Sequence, residues 1–128
     1  MIREDKELLL VDLCARLPYG VLLNVILKDK YDQIVSRDID LTEYNLSYIT
    51  KESHWIEYKP YLRPMSSMTE EERKKMVKLH VDDRCYSQIE QCDANCIDFY
   101  NSHHLDYRGL IKKGLALEAP KGMYKLAM

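Results

Sequence analysis

His103-His104-Leu105-Asp106-Tyr107-Arg108 sets two imidazoles, a carboxylate, a phenol and a guanidinium side by side. Arg108 has the fork of donors that grips a phosphate or carboxylate. His104 and Asp106 could form a hydrogen-bonded pair, with Tyr107 as a wall or a donor. A short helix starting at Tyr107 would turn free backbone N–H groups toward the same anion. His104, Asp106, Tyr107 and Arg108 are therefore the candidate ligand-binding residues, for a nucleotide or other phosphate. A plainer account weighs more: Asp106 caps the short helix, Arg108 makes a structural ion pair and a histidine fills space. Ion-pair networks imitate sites in this way.

Cys92, Cys96 and His103 share one face of a helix by their spacing, with Cys85 and His104 close in sequence. Thiolates and imidazoles bind zinc, which takes four ligands in a tetrahedron. A single Cys-x3-Cys where a helix buries its apolar side reads better as core, because free cysteine packs as a small hydrophobe. No metal or other cofactor is expected. Asp38 and Asp40 alternate along a strand and could hold a hard cation, although surface charge accounts for them as well. Cys14 falls on an apolar helix face and is expected to be inert. Gly-x-Ser-x-Gly, His-Glu-x-x-His and P-loop motifs do not occur, so catalysis is not expected.

The elements that would position these residues follow from periodicity. Leu9, Leu10, Leu13, Cys14 and Leu17 recur at three and four, which predicts an amphipathic helix over 3–16. Pro18 and Gly20 end it. The stretch 21–59 reads as short strands: Val21 to Leu27, Tyr31 to Val35, Ile39 to Leu41, Tyr44 to Ile49 and Trp55 to Tyr58. In the fourth, Tyr44, Leu46 and Tyr48 alternate with polar residues. Pro60 and Pro64 make 59–64 a connector that is neither helix interior nor central strand. Thr69 and Glu72 form a capping box for a helix over 70–80 with Met76, Val77 and Leu79 buried. A further helix over 87–102 carries Ile89, Cys92, Cys96, Phe99 and Tyr100. Asp106 caps a short helix over 107–113 that stops at Gly114. Leu115 to Leu117 make a final strand or strap, 119–122 a turn, and the last six residues a loose tail. The fold class is α+β in one domain over 1–128: an N-terminal helix, a small antiparallel sheet or partial barrel (about 21–59), two to three helices (about 69–114) and a C-terminal strap.

The chain has 128 residues, 46% of them hydrophobic and 31% charged, which is enough for one core and argues against disorder. Its 19 basic and 21 acidic residues give a net charge of −2, which disfavours nucleic acid as a partner. Glu4, Asp5 and Glu7 interrupt any signal peptide, and no apolar run approaches a membrane span. Four cysteines without a secretion signal point to reduced thiols in the cytoplasm. Ten tyrosines stand against one Phe and one Trp, and they concentrate in the β half. Tyrosine combines a large contact area with a polar tip. Tyr31, Tyr44, Tyr48 and Tyr58 are accordingly the expected interaction surface, for a protein partner or a second copy.

Glu4 to Val21 (EDKELLLVDLCARLPYGV), Lys59 to Glu72 (KPYLRPMSSMTEEE) and His103 to Tyr124 (HHLDYRGLIKKGLALEAPKGMY) resemble a group of short uncharacterised cytosolic proteins. The group occurs in gut-anaerobe bacterial chromosomes and their mobile elements or phages. The region 22–58 does not match it, and the helix over 87–102 lacks the tryptophan that the resemblance implies before His103. The resemblance supplies a setting and no catalytic residue. The expected function is a small non-catalytic interaction or regulatory protein, encoded by a mobile element or phage and able to self-associate. The alternative is a small-anion binder acting through His104–Arg108.

Overall fold

The computed structural model describes residues 2–50, 55–81 and 89–124. The fold is α+β, as expected. Helix α1 (Arg3–Arg16) runs into a 3-10 turn (Leu17–Tyr19) and Gly20 at φ +73°, the left-handed conformation that glycine adopts without strain. Strand β1 (Leu22–Lys28) and strand β2 (Ile34–Asp40) form an antiparallel hairpin. The turn closes on Asp29, whose Oδ1 accepts from the amides of Tyr31 (2.8 Å) and Gln33 (2.9 Å). Helix α2 (Glu43–Thr50) follows, then strand β3 (Trp55–Leu62), a 3-10 turn (Met65–Ser67), helix α3 (Glu70–Val81), helix α4 (Ile89–Ser102) and the two-residue strand β4 (Leu117–Glu118). The strand order is β2-β1-β3-β4.

Leu23, Val25 and Leu27 of β1 point inward and pack with Leu9 and Leu13 of α1 and Leu46 and Ile49 of α2. Leu62, Leu110, Leu115 and Ala116 complete this core. A second, smaller core joins Met76 of α3 to Cys96 and Phe99 of α4 and to Leu105.

Several sequence expectations change. Tyr44 to Ile49 is helix, not strand. Thr42 caps it, accepting at Oγ1 from the Asn45 amide at 3.1 Å, and Leu46 and Ile49 meet the core at a spacing of three. Tyr31 to Val35 and Ile39 to Leu41 are not two strands but the turn and single strand that end in β2. The 59–64 connector is largely strand: β3 lies between β1 and β4 and runs through Pro60. Pairing with β1 ends at Pro60 and pairing with β4 begins at Tyr61, so the missing N–H falls where the strand changes neighbours. Because β4 pairs parallel to β3, the sheet is mixed instead of wholly antiparallel. Cys14 is exposed, and Asp12 and Arg16 take the buried positions on α1 beside Leu9 and Leu13. Val77 is exposed as well. The Leu79 side chain lies outside the described residues.

Residues 107–113 form turns and no helix, with Gly109 at φ +72°. Asp106 still caps them. Its two oxygens accept from the amides of Leu110 (2.8 Å) and Ile111 (3.0 Å). The expected tail is anchored at Tyr124, whose hydroxyl accepts from the Leu22 amide (2.9 Å) and donates to the Tyr61 carbonyl (2.7 Å). No described helix is long and apolar enough to cross a membrane.

Candidate functional site

The His103–Arg108 segment leaves α4 through His104, which has φ +60°. It then lies beside the end of β3. Arg63 N donates to the His104 carbonyl (2.7 Å) and Asp106 N to the Arg63 carbonyl (2.8 Å), a parallel bridge that places Leu105 opposite Arg63. This brings the segment against α1. Arg16 donates through Nη2 to the Leu105 carbonyl at 2.7 Å and through Nε to Asp12 Oδ2 at 2.8 Å.

Arg108 reaches the same carboxylate, with Nε at 3.1 Å from Asp12 Oδ1. One carboxylate therefore holds two guanidiniums. Asp12 and Arg16 side chains are 0% exposed, and Arg108 is 25% exposed. Both guanidinium carbons lie over the Tyr107 ring, at 5.4 Å for Arg16 and 4.9 Å for Arg108. Tyr107 also stacks on Tyr100 at 5.3 Å.

The four residues named from the sequence thus adjoin one another with the roles of the plainer account for two of them: Asp106 caps and Arg108 makes an ion pair. Asp106 does not pair with His104, because both its oxygens hold backbone amides. His104 stacks on Tyr124 at 3.8 Å. Burial, with Arg16, Arg63 and His103 nearby, pulls the His104 imidazole down to about 4, so the ring is neutral at pH 7. Among the described residues, four buried polar atoms here have no hydrogen-bond partner: Arg16 Nη1, His104 Nδ1, Tyr107 OH and Asn101 Oδ1.

A second network adjoins it. Glu72 accepts from Arg63 Nη1 (2.8 Å) and Nη2 (2.7 Å), from the Thr69 amide (2.8 Å) and from His103 Nδ1 (2.9 Å). The capping box is completed by the Glu72 amide donating to Thr69 Oγ1 at 3.2 Å. The Arg63 hydrogen bonds, with help from Thr69, hold the Glu72 carboxyl at about 2 against the opposing effect of burial. Burial lowers His103, and Glu72 opposes that. His103 also stacks on Phe99 at 4.1 Å.

Among the described residues, no His, Cys, Asp and Glu side chains gather as a metal site. Cys96 is buried beside Phe99, while Cys85 and the Cys92 side chain lie outside the described residues. Asp38 Oδ1 already accepts from Asn24 Nδ2 (3.0 Å) and Tyr61 OH (2.8 Å), and these bonds lower its carboxyl.

The tyrosines of the expected interaction surface occupy different elements. Tyr31 is 72% exposed in the hairpin turn, and Tyr44 is exposed on α2. Tyr58 is half-buried against the core, tilted on Trp55. The Tyr48 side chain is outside the described residues.

Sequence reasoning passed over Asp12, Arg16, Arg63 and Tyr124. A signal was available for the first two: charges four apart inside the apolar stripe of α1 mark a buried pair. Arg63 and Tyr124 act through partners distant in sequence and left no local sign. No family model, curated protein or solved structure matches the chain.

Proposed function

We propose that this protein is a small non-catalytic interaction protein that takes a strand from another polypeptide onto β2. The observation that carries this is the open edge. Strand β2 ends the sheet, and among the described residues only β1 pairs with it. Ile34 on that strand is 67% exposed. An edge of unpaired N–H and C=O groups is a template for strand addition.

The charges on β2 bear on the choice of occupant. Arg37 registers with Val25 and so shares the inner face, whereas Asp38 and Asp40 register with Asn24 and Leu22 on the outer face. The fully overlapped antiparallel pairing of two copies sets Arg37 against its own duplicate. One of the next registers sets Asp38 against Asp38. Like charges directly opposite are destabilising, which favours a foreign strand over a second copy. Such a strand would carry an acid facing Arg37 and bases facing Asp38 and Asp40.

A synthetic peptide with that pattern, and its charge-swapped isomer, provide the test. The matched peptide is expected to slow amide exchange along β2 more than the isomer does, and Arg37→Glu with Asp38→Lys should reverse the order. Equal or absent protection by both peptides would overturn the reading, as would a dimer of the chain alone that already protects β2.

A further inference from the structure

We infer that the Arg16–Tyr107–Arg108 cluster is a binding site for one small monovalent anion, a halide or a carboxylate group. The charge balance motivates this. Two guanidiniums share the single Asp12 carboxylate, and no other described acid lies within ion-pair distance of either. Asp106, the closest acid in sequence, directs both oxygens at backbone amides. The cluster therefore holds one more positive charge than negative charges in contact with it. A buried charge without a counter-charge is costly, and the usual remedy is a partner ion.

Unused donors supply the second, independent observation. Arg16 is completely buried, yet its Nη1 donates to nothing while Nε and Nη2 are both engaged. The Tyr107 hydroxyl, on the ring that both guanidiniums overlie, is buried and equally unpartnered. Hydrogen bonds to charged groups are roughly twice as strong as neutral ones, so two such donors would select an anion over water. The neutral His104 ring adds an unpartnered Nδ1 without adding charge.

Size and valence follow from the same geometry. An excess of one charge matches a monoanion, and at a donor as buried as Arg16 the desolvation cost favours a singly charged ion over a multiply charged phosphate. Arg108, partly exposed, marks the side from which an anion would enter. The site thus differs from the sequence expectation in its main ligand: Arg16, with its buried and unused Nη1, takes the place of Arg108.

The probes are bromide and formate, titrated at constant ionic strength against fluoride. The melting temperature of the wild type is expected to rise saturably with one or both, following ligand linkage. Tyr107→Phe keeps the ring and removes the donor, and should raise the half-saturating concentration at least threefold. Bromide should give an anomalous-scattering peak within hydrogen-bond distance of Arg16 Nη1 in crystals of the wild type. The tighter of the two probes tells whether an inorganic ion or a carboxylate is preferred. A rise that is linear and identical in wild type and Tyr107→Phe would overturn the inference. An ordered water at Arg16 Nη1 both in crystals grown with bromide and in crystals grown with formate would overturn it too. The crystallographic arm needs only the wild type, so a Tyr107→Phe protein that failed to fold would not remove the test.

Discussion

Replacing Glu72 by Gln keeps the shape of the side chain and removes its charge, which isolates the electrostatic part of the Arg63 network. Arg63 holds the Glu72 carboxyl at about 2 in the folded chain, against an ordinary value of 4.5. A carboxyl lowered by folding stabilises the fold above its unfolded pKa and loses that contribution as pH falls through the folded one. The difference corresponds to about 3 kcal/mol at neutral pH, of which about 2 kcal/mol is gone by about pH 3. The variant also leaves Arg63, itself buried, without its counter-charge, so about 3 kcal/mol is a lower expectation at pH 7. Urea unfolding followed by circular dichroism measures the gap between wild type and Glu72→Gln. Performing it in a His103→Gln background removes the titration of the imidazole that bonds Glu72. The gap should shrink by at least about 2 kcal/mol between pH 7 and pH 2.5. A gap that stays constant over that range would refute the electrostatic reasoning, and one below about 0.5 kcal/mol at pH 7 would show that the pair is no better than a surface ion pair.

Other perturbations probe separate parts of the cluster. His104, lowered to about 4, favours the fold most above its unfolded value of 6.5 and loses that advantage as pH falls toward 4, by about 2 kcal/mol. Asn tolerates a positive φ, so His104→Asn should flatten thermal stability between pH 7 and pH 4.5, and an unchanged slope would assign the titration to another group. Asp106→Ala strips two amides of their acceptor, one of them on buried Leu110. The expected loss is about 2–4 kcal/mol in chemical denaturation, and a loss below about 1 kcal/mol would mean that water replaces the carboxylate.

Local chemistry was legible wherever one residue acts on its near neighbours. The capping box at Thr69 and Glu72, the left-handed Gly20 and the capping role of Asp106 all follow from side chains reaching a few residues along the chain. The reading failed where two local signals competed. Tyr44, Leu46 and Tyr48 alternate like a strand, yet Leu46 and Ile49 also sit three apart behind a Thr cap. Over so short a window, tertiary burial against β1 decides between the two periods. The same limit explains the site. Arg108 was recognised as an ion-pair former, but its partner Asp12 lies at separation 96 along the chain. Nothing near Arg108 indicates that its charge is shared with Arg16. Glu72 was read as a helix cap, and its bond to Arg63 depends on where β3 ends.

Tyr124 has a consequence for how the molecule is made. Its hydroxyl joins the Leu22 amide to the Tyr61 carbonyl, across a separation of 102 residues in the first case. During synthesis the hairpin of β1 and β2 leaves the ribosome early, and β3 can pair with β1 soon afterwards. The β1 amide at Leu22 must wait for the tyrosine that satisfies it until 102 further residues have been made. Closing so long a loop is entropically slow. The nascent sheet therefore passes through a stage in which it is paired but not yet fastened at Leu22.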